Sequence, residues 1–320
     1  MVSDAYRIHR RRLSAEVVRD LSRLRPRVAV RDTLLDWAFI VAAWAMAAWV
    51  PEPWLLLPCA LVVGNRYYAL VIIGHDGLHR RLFDDERLND LWNDLFILGP
   101  VGAVTRLNRV NHILHHQRAS TVTDPDRYKY THDNKRTNFA FLAYLTGISV
   151  LGRSFGNIFR NRDGLSAESR RGEGYRPRDL VILAGWQGAL VAGLTHWFGW
   201  WGYPVLWLVP VGIAYTVDVI RVFAEHSMLD DDTAADRTGR LITYASAAWE
   251  RPLIAPHNMN FHAAHHLWPS IPYYSLPEAD RRLRASGNGG QLQWRGLYLG
   301  YLSRYWRFDR SGRASSSWAT

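Results

Sequence analysis

The sequence predicts an all-α integral membrane protein, with four transmembrane helices arranged as two hairpins under a cytoplasmic helical cap. Three observations carry that prediction. Apolar residues gather in two paired blocks instead of spreading along the 320 residues. Each pair is split by a short turn rich in Pro or Gly. Every arginine cluster lies away from those turns.

Taken in order, residues 4–30 are polar and basic, within an arm assigned to 1–30. Leu13, Val17, Leu21 and Leu24 recur at helical spacing, with Arg and Asp on the other side. Such a helix lies on a bilayer or packs on the rest of the chain. Residues 34–50 and 54–73 are apolar and flank the turn Pro51-Glu52-Pro53. Each approaches the ~20 residues that span a bilayer. Arg66 interrupts the second run, and an intramembrane Arg is costly unless it meets a partner or a cavity. Residues 95–104 and 139–152 are apolar but too short to span, and read as interfacial or re-entrant segments. The second hairpin is 180–198 and 203–223, joined at Gly199-Trp200-Trp201-Gly202. The membrane domain is assigned to 31–305, and 306–320 is a polar, Ser/Arg-rich tail.

Composition agrees. Hydrophobic residues make up 48% of the chain. A mean hydropathy of -0.18 averages apolar blocks with a polar remainder, so it does not exclude membrane spans. Many of the 15 tryptophans (Trp49, Trp54, Trp197, Trp200, Trp201) sit at the ends of apolar runs, where indole favours the membrane–water boundary. The net charge of +10 comes almost wholly from Arg, since Lys129 and Lys135 are the only lysines. No nucleic-acid-binding module accompanies it, and the apolar blocks favour a membrane surface as partner. The arginine-heavy composition suggests a GC-rich bacterial genome. The hairpin turns carry only Glu52, whereas Arg10–Arg12, Arg80, Arg81, Arg160, Arg162, Arg170, Arg171, Arg281 and Arg282 all lie on the other side. The positive-inside rule therefore expects both termini in the cytoplasm of a bacterial inner-membrane protein. The start is polar and Arg-rich, without the apolar core of a cleavable signal. Cys59 is the single cysteine, which excludes an internal disulfide and any multi-cysteine metal site.

Nine of the 13 histidines are patterned. His75 and His79 stand in HDGLH, where the second apolar run ends. His112, His115 and His116 stand in HILHH, and His262, His265 and His266 in HAAHH. His226 ends the fourth run in AEH. Residues at i, i+3 and i+4 share a helix face, so each box presents two or three imidazoles in one direction. Neutral imidazole ligates iron, zinc, copper and nickel. Eight or nine ligands exceed the needs of one ion and suit two. His9, His132, His196 and His257 lie outside this pattern.

The order HDGLH, HILHH and NFHAAHHLWPSIPYYSLPE resembles the membrane fatty acid desaturase/hydroxylase superfamily over roughly residues 30–280. The third box, with its trailing Leu-Trp-Pro-x-Ile-Pro-x-Tyr, is the most specific part. The resemblance implies a di-iron centre (two Fe2+) held by His75, His79, His112, His115, His116, His226, His262, His265 and His266. It also implies O2-dependent attack on an unactivated C–H bond of a lipid or acyl substrate, free or carrier-bound. Two departures stand out. The first box is HxxxH rather than HxxxxH, and Val222 occupies a position where acyl-CoA desaturases carry Asn four residues before the lone histidine. Asn258 or Asn260 is a candidate replacement. No His-Pro-Gly-Gly haem motif is present, so a separate electron donor is expected, with an acidic protein such as ferredoxin matching the Arg-rich face. Among carboxylates that orient ligating imidazoles, Asp76 and Glu225 lead, Glu225 with Arg221 one turn earlier as its partner.

A fatty-acyl desaturase is the leading expectation. A lipid or carotenoid hydroxylase or ketolase is the alternative that the boxes do not separate. A zinc-dependent membrane hydrolase is the alternative of another class, but it needs only three or four ligands.

Overall fold

A computed structural model describes residues 9–50, 52–119, 121, 123–132, 135–148, 152, 175–227, 242–287 and 292–308. Arg160, Arg162, Arg170, Arg171, most of the 306–320 tail and part of the 139–152 segment lie outside them. The chain is mostly helical and divides into two compact units. A hairpin unit comprises Leu24–Val110 and Leu165–Val217, and a histidine unit comprises Met1–Arg23, Asn111–Gly164 and Asp218–Thr320.

The helices are α1 (Ala15–Leu21), α2 (Pro26–Trp49), α3 (Pro53–Leu78), α4 (Glu86–Asn93), α5 (Thr105–Arg118), α6 (Arg127–Tyr130), α7 (Asn138–Leu145), α8 (Pro177–Phe198) and α9 (Val209–His226). Strand β1 (Ile242–Tyr244) follows, then α10 (Arg251–Ile254), α11 (His262–Leu267), α12 (Leu276–Ala285), β2 (Gln293–Arg295) and α13 (Tyr298–Arg307). Among the described residues two short strands pair in parallel, Ile242 with Gln293 and Tyr244 with Arg295, a minor addition to a mostly helical chain.

Among the described residues, three helices are long and apolar enough to cross a membrane: Pro53–Leu78, Pro177–Phe198 and Pro204–His226. The sequence reading expected four. The difference lies in α2, which is 24 residues long but carries Asp32, Asp36 and three tryptophans that lower its apolarity. The helices run beyond the expected apolar runs at several ends. α2 begins at Pro26 rather than 34, and α3 continues to Leu78 rather than 73, which puts His75 and Asp76 inside the helix. A proline occupies the first helical positions of α2, α3 and α8, where the missing N–H leaves no helical bond unmade.

The hairpin unit is packed on tryptophan. Trp37 stacks on Trp186 at 5.5 Å and on Trp207 at 6.4 Å, and Tyr67 meets Trp207 edge-on at 5.1 Å. Three polar atoms around this cluster find partners in two π-helical turns, Asp94–Leu98 and Pro204–Leu208. Widening the helix frees carbonyls from their ordinary partners. Trp37 donates to the Phe96 carbonyl at 2.7 Å, Tyr67 to Ile97 at 2.6 Å and Trp44 to Leu206 at 3.1 Å. Trp49, Trp54, Trp197 and Trp200 stay exposed. Arg66 meets Asp36 at 3.3 Å, the partner an intramembrane Arg requires.

Two glycines let α3 approach the chain after it. A Cβ on Gly74 would meet Ile97 Cγ2 at 2.6 Å, and one on Gly77 would meet Asn93 Nδ2 at 2.5 Å. Asn93 donates to the Gly74 carbonyl at 3.1 Å and Asn89 to the Gly77 carbonyl at 2.9 Å. Arg109 donates to the Leu78 and Gly77 carbonyls at 2.8 and 3.0 Å and pairs with Asp90. Burial raises the Asp90 carboxyl's pKa, but the Arg109 and Asn89 hydrogen bonds outweigh it and hold the group below its usual value. The end of α3, which carries the first box, is thus fixed by a side-chain clamp. Gly77→Val should push Asn93 away and destabilise the unit by about 1–3 kcal/mol, read as a lower thermal midpoint. An unchanged midpoint would contradict this packing.

In the histidine unit the described arm packs on protein. Arg10 donates to the Leu267 carbonyl at 2.8 Å, and Ser22 and Ser270 hydroxyls lie 3.0 Å apart. Leu13 and Leu21 are buried. Glu250, fully buried, accepts from Ser246 at 2.7 Å and from the Tyr298 and Leu299 N–H groups at 3.2 and 3.1 Å. It caps the start of α13, whose own preceding residue, Leu297, has no capping side chain.

Candidate metal centre

Three helices supply seven of the nine patterned histidines, and all seven fall within the histidine unit. α5 presents His112, His115 and His116, α9 ends on His226, and α11 presents His262, His265 and His266. Both three-residue boxes are helical, so the i, i+3, i+4 spacing acts as expected. The end of α9 is held by Tyr244, which donates to the Ala224 carbonyl at 2.9 Å, and by Arg295 on the Ala224 and Ser227 carbonyls at 3.4 Å. These contacts satisfy carbonyls that the helix end leaves without partners.

The seven imidazoles form two ligand groups. Donor atoms of His115, His226 and His266 lie within 4.8 Å of one another, and so do those of His112, His116 and His265. His262 joins the first group, its Nε2 2.8 Å from His226 Nε2. His265 Nε2 and His116 Nε2 are 3.1 Å apart. Two imidazole nitrogens on one ion, each about 2.1 Å from it, stand roughly 3.0–3.4 Å apart. The 3.1 Å pair is therefore spaced to share a cation, and the 2.8 Å pair stands just short of that spacing. His266 adds a sharper sign. It is 1% exposed, and neither ring nitrogen has a hydrogen-bond partner among the described residues. Buried polar atoms of that kind are costly unless something absent from the polypeptide satisfies them. The residues present fit a metal.

Electrostatics point the same way. Burial, followed by the neighbouring imidazoles, holds His262 and His266 well below the usual histidine pKa. They stay neutral at pH 7, the form that ligates a cation. His115 differs. Burial lowers its pKa, but the Asp124 carboxylate overrides burial and raises it.

Asp124 is the functional residue the sequence reading missed. Its carboxylate is fully buried and lies 3.0 and 3.2 Å from His115 Nδ1. It also accepts from the Tyr130 hydroxyl at 2.6 Å and the Asp126 N–H at 2.9 Å. An Nδ1–H donated to Asp124 leaves Nε2 of His115 as the atom available to a cation. The available signal was the turn Asp124-Pro125-Asp126, nine residues past His115.

Glu225 lies 3.3 Å from His262 Nδ1, pairs with Arg221 as expected, and accepts from the Tyr298 hydroxyl at 2.6 Å. Asn260 donates to the Tyr244 carbonyl at 2.9 Å and accepts at its own carbonyl from Tyr244 N–H at 3.0 Å. Asn258 has a positive φ of 62° and donates to the Tyr273 carbonyl at 3.4 Å. Both amide nitrogens thus hold the chain around the third box. Val222 is buried. In the hairpin unit, His75 and His79 are half-buried at the end of α3, ring centroids 5.5 Å apart, and Asp76 beside them is buried. Among the other histidines, His132 lies 2.6 Å from the Tyr305 hydroxyl, a packing role.

Comparison with known proteins agrees with this chemistry. The family described as Fatty acid desaturase matches residues 51–298, a stretch that contains all three boxes and His226. The chain is also 26% identical to a dihydrorhizobitoxine desaturase of Bradyrhizobium elkanii, over 93% of this chain and 89% of the relative. Histidine clusters able to hold metal, apolar helices of membrane-crossing length and a match over most of the chain identify it as an oxidoreductase of the fatty acid desaturase family.

Proposed function

We propose that the protein is an O2-dependent, non-haem di-iron desaturase that introduces a double bond into a long fatty-acyl chain. The convergence of seven histidines into two ligand groups carries this reading. His75 and His79 complete the ligand set on the order of the family's motifs. Two bound irons would supply O2 activation and removal of hydrogen from an alkyl carbon.

The chain's own residues do the rest. Asp124 fixes the tautomer of His115, and Glu225, neutralised by Arg221 and steadied by Tyr298, braces His262. Burial of His115, His226, His262, His265 and His266 keeps bulk water from the ligands. Electrons come from a separate acidic donor such as ferredoxin, drawn to the Arg-rich face. The proposed topology keeps α2 as a fourth span. Its outer face is apolar (Leu34, Leu35, Phe39, Val41, Met46), and Arg66 neutralises Asp36. Both termini and the histidine unit are then cytoplasmic.

Metal analysis of purified protein should give about two irons per chain, since each ligand group suits one ion. Membranes supplied with ferredoxin, a reductant, O2 and labelled acyl chains should yield alkene. One zinc and no iron in an active sample would refute the di-iron reading, and alcohol without alkene would refute desaturation. The similarity to a dihydrorhizobitoxine desaturase supports a second reading, in which the substrate is related to that compound. Alkene from dihydrorhizobitoxine and none from acyl chains would select it.

A further inference from the structure

We infer that α7, α10 and α13 form one membrane-facing shelf on the histidine unit, and that it lies in the anionic headgroup layer of the bilayer that α9 crosses. The first observation is apolar exposure. Phe139 on α7 is 82% exposed and Leu142 53%, while Ile148 just beyond is 71% exposed. On α13, Leu299 is 45% and Trp306 42% exposed, and on α10 Leu253 is 49% exposed. Soluble surfaces rarely gather so many large apolar side chains.

The second observation is that these elements are contiguous. Phe141 of α7 packs on Tyr305 of α13 at 4.6 Å. Glu250, one residue before α10, accepts from the first N–H groups of α13. Leu299, Leu302 and Trp306 share one face of α13 by their spacing, beside the buried face of Tyr298, Tyr301 and Tyr305. Arg304 and Arg307 project from the remaining exposed face. A basic edge next to an apolar strip, with Trp at the boundary, is the pattern of helices that lie in an interface.

The third observation sets the depth. The shelf is built around the last turn of α9. Phe223, three residues before the helix ends, touches Phe141 at 5.2 Å, Tyr144 at 6.0 Å and Tyr305 at 4.6 Å. α9 is the end of a helix long and apolar enough to cross a membrane. Elements packed around its terminus lie at the level where such a span leaves the hydrocarbon. Arg304 and Arg307 then face the phosphate groups of anionic lipid.

The test uses the full chain in lipid nanodiscs and needs neither metal nor turnover, so its outcome is separate from that of the desaturase reading. Cys59 is the sole cysteine and is buried. In a Cys59→Ser background, nitroxide labels are placed through Phe139→Cys, Leu299→Cys and Trp306→Cys, with Arg281→Cys on α12 as the water-exposed control. In phosphatidylglycerol discs the ratio of O2 to nickel-chelate collisions should be roughly tenfold higher at the three shelf sites than at the control. Replacing the lipid with phosphatidylcholine, or introducing Arg304→Glu with Arg307→Glu, should lower that ratio. Shelf labels as open to nickel as the control would overturn the proposal, pointing to a protein partner instead. No effect of lipid charge would overturn the anionic assignment. For the unlabelled chain, photo-crosslinking with a diazirine phosphatidylglycerol should mark α7 and α13 peptides. Crosslinks confined to α3, α8 and α9 would count against the shelf.

Discussion

His266→Leu should leave the apoprotein as stable as the parent or more so, while removing metal and activity together. This pairing follows from the burial of His266 and the lack, among the described residues, of hydrogen-bond partners for its ring nitrogens. Without a cation, such an imidazole is a desolvated polar group, and each unsatisfied atom costs about 1–3 kcal/mol. Leucine fills similar space without that cost. With a cation, the same substitution deletes a ligand of the His115, His226 and His266 group. Thermal unfolding of metal-stripped protein should give an unchanged or raised midpoint. Metal analysis should show the loss of at least one ion per chain, and turnover should be abolished. A variant that keeps its full metal content would remove His266 from the site. A large drop in apoprotein stability would make it a packing residue instead.

Asp124→Ala is expected to weaken metal binding by about 10–100-fold, the usual effect of losing a carboxylate that orients a ligating histidine. The carboxylate is fully buried and binds His115 Nδ1, the Tyr130 hydroxyl and the Asp126 N–H. Removing it takes this acceptor from all three donors and frees the His115 ring to turn. Asp124→Asn retains an acceptor oxygen and should lose less. Tyr130→Phe removes one hydrogen bond, worth about 1 kcal/mol, and should change affinity least. Competition with a chelator of known strength measures the series. Equal affinity for Asp124→Ala and the parent would exclude the orienting role.

The histidine boxes were legible in the sequence because a helix turns i, i+3 and i+4 onto one face. That local rule needs no knowledge of the rest of the chain, and α5 and α11 obey it. The pairing of Glu225 with Arg221 was legible for the same reason, being one helical turn. Hydropathy located the membrane helices, but not where they end. α3 runs on to Leu78 because Asn89, Asn93 and Arg109 bind its last carbonyls, and those residues lie 11 or more positions further along. The tryptophans divided in a way composition did not foretell. Trp37, Trp44, Trp186 and Trp207 form a packed cluster, since carbonyls freed in two π-turns accept the indole N–H groups of Trp37 and Trp44.

By itself, then, the sequence determined the chemistry available: nine patterned imidazoles, helices to present them, and arginine clusters kept away from the apolar turns. Those properties depend on residue type and short spacing. Tertiary structure decided how seven of the imidazoles divide into two groups, and that Asp124 stands behind His115. It also decided that Arg66 meets Asp36 across 30 residues of chain, and that the apolar faces of α7 and α13 gather around the end of α9. Each of these is a contact between segments distant in sequence. Such contacts form only when the fold closes, and no periodicity along a single segment records them.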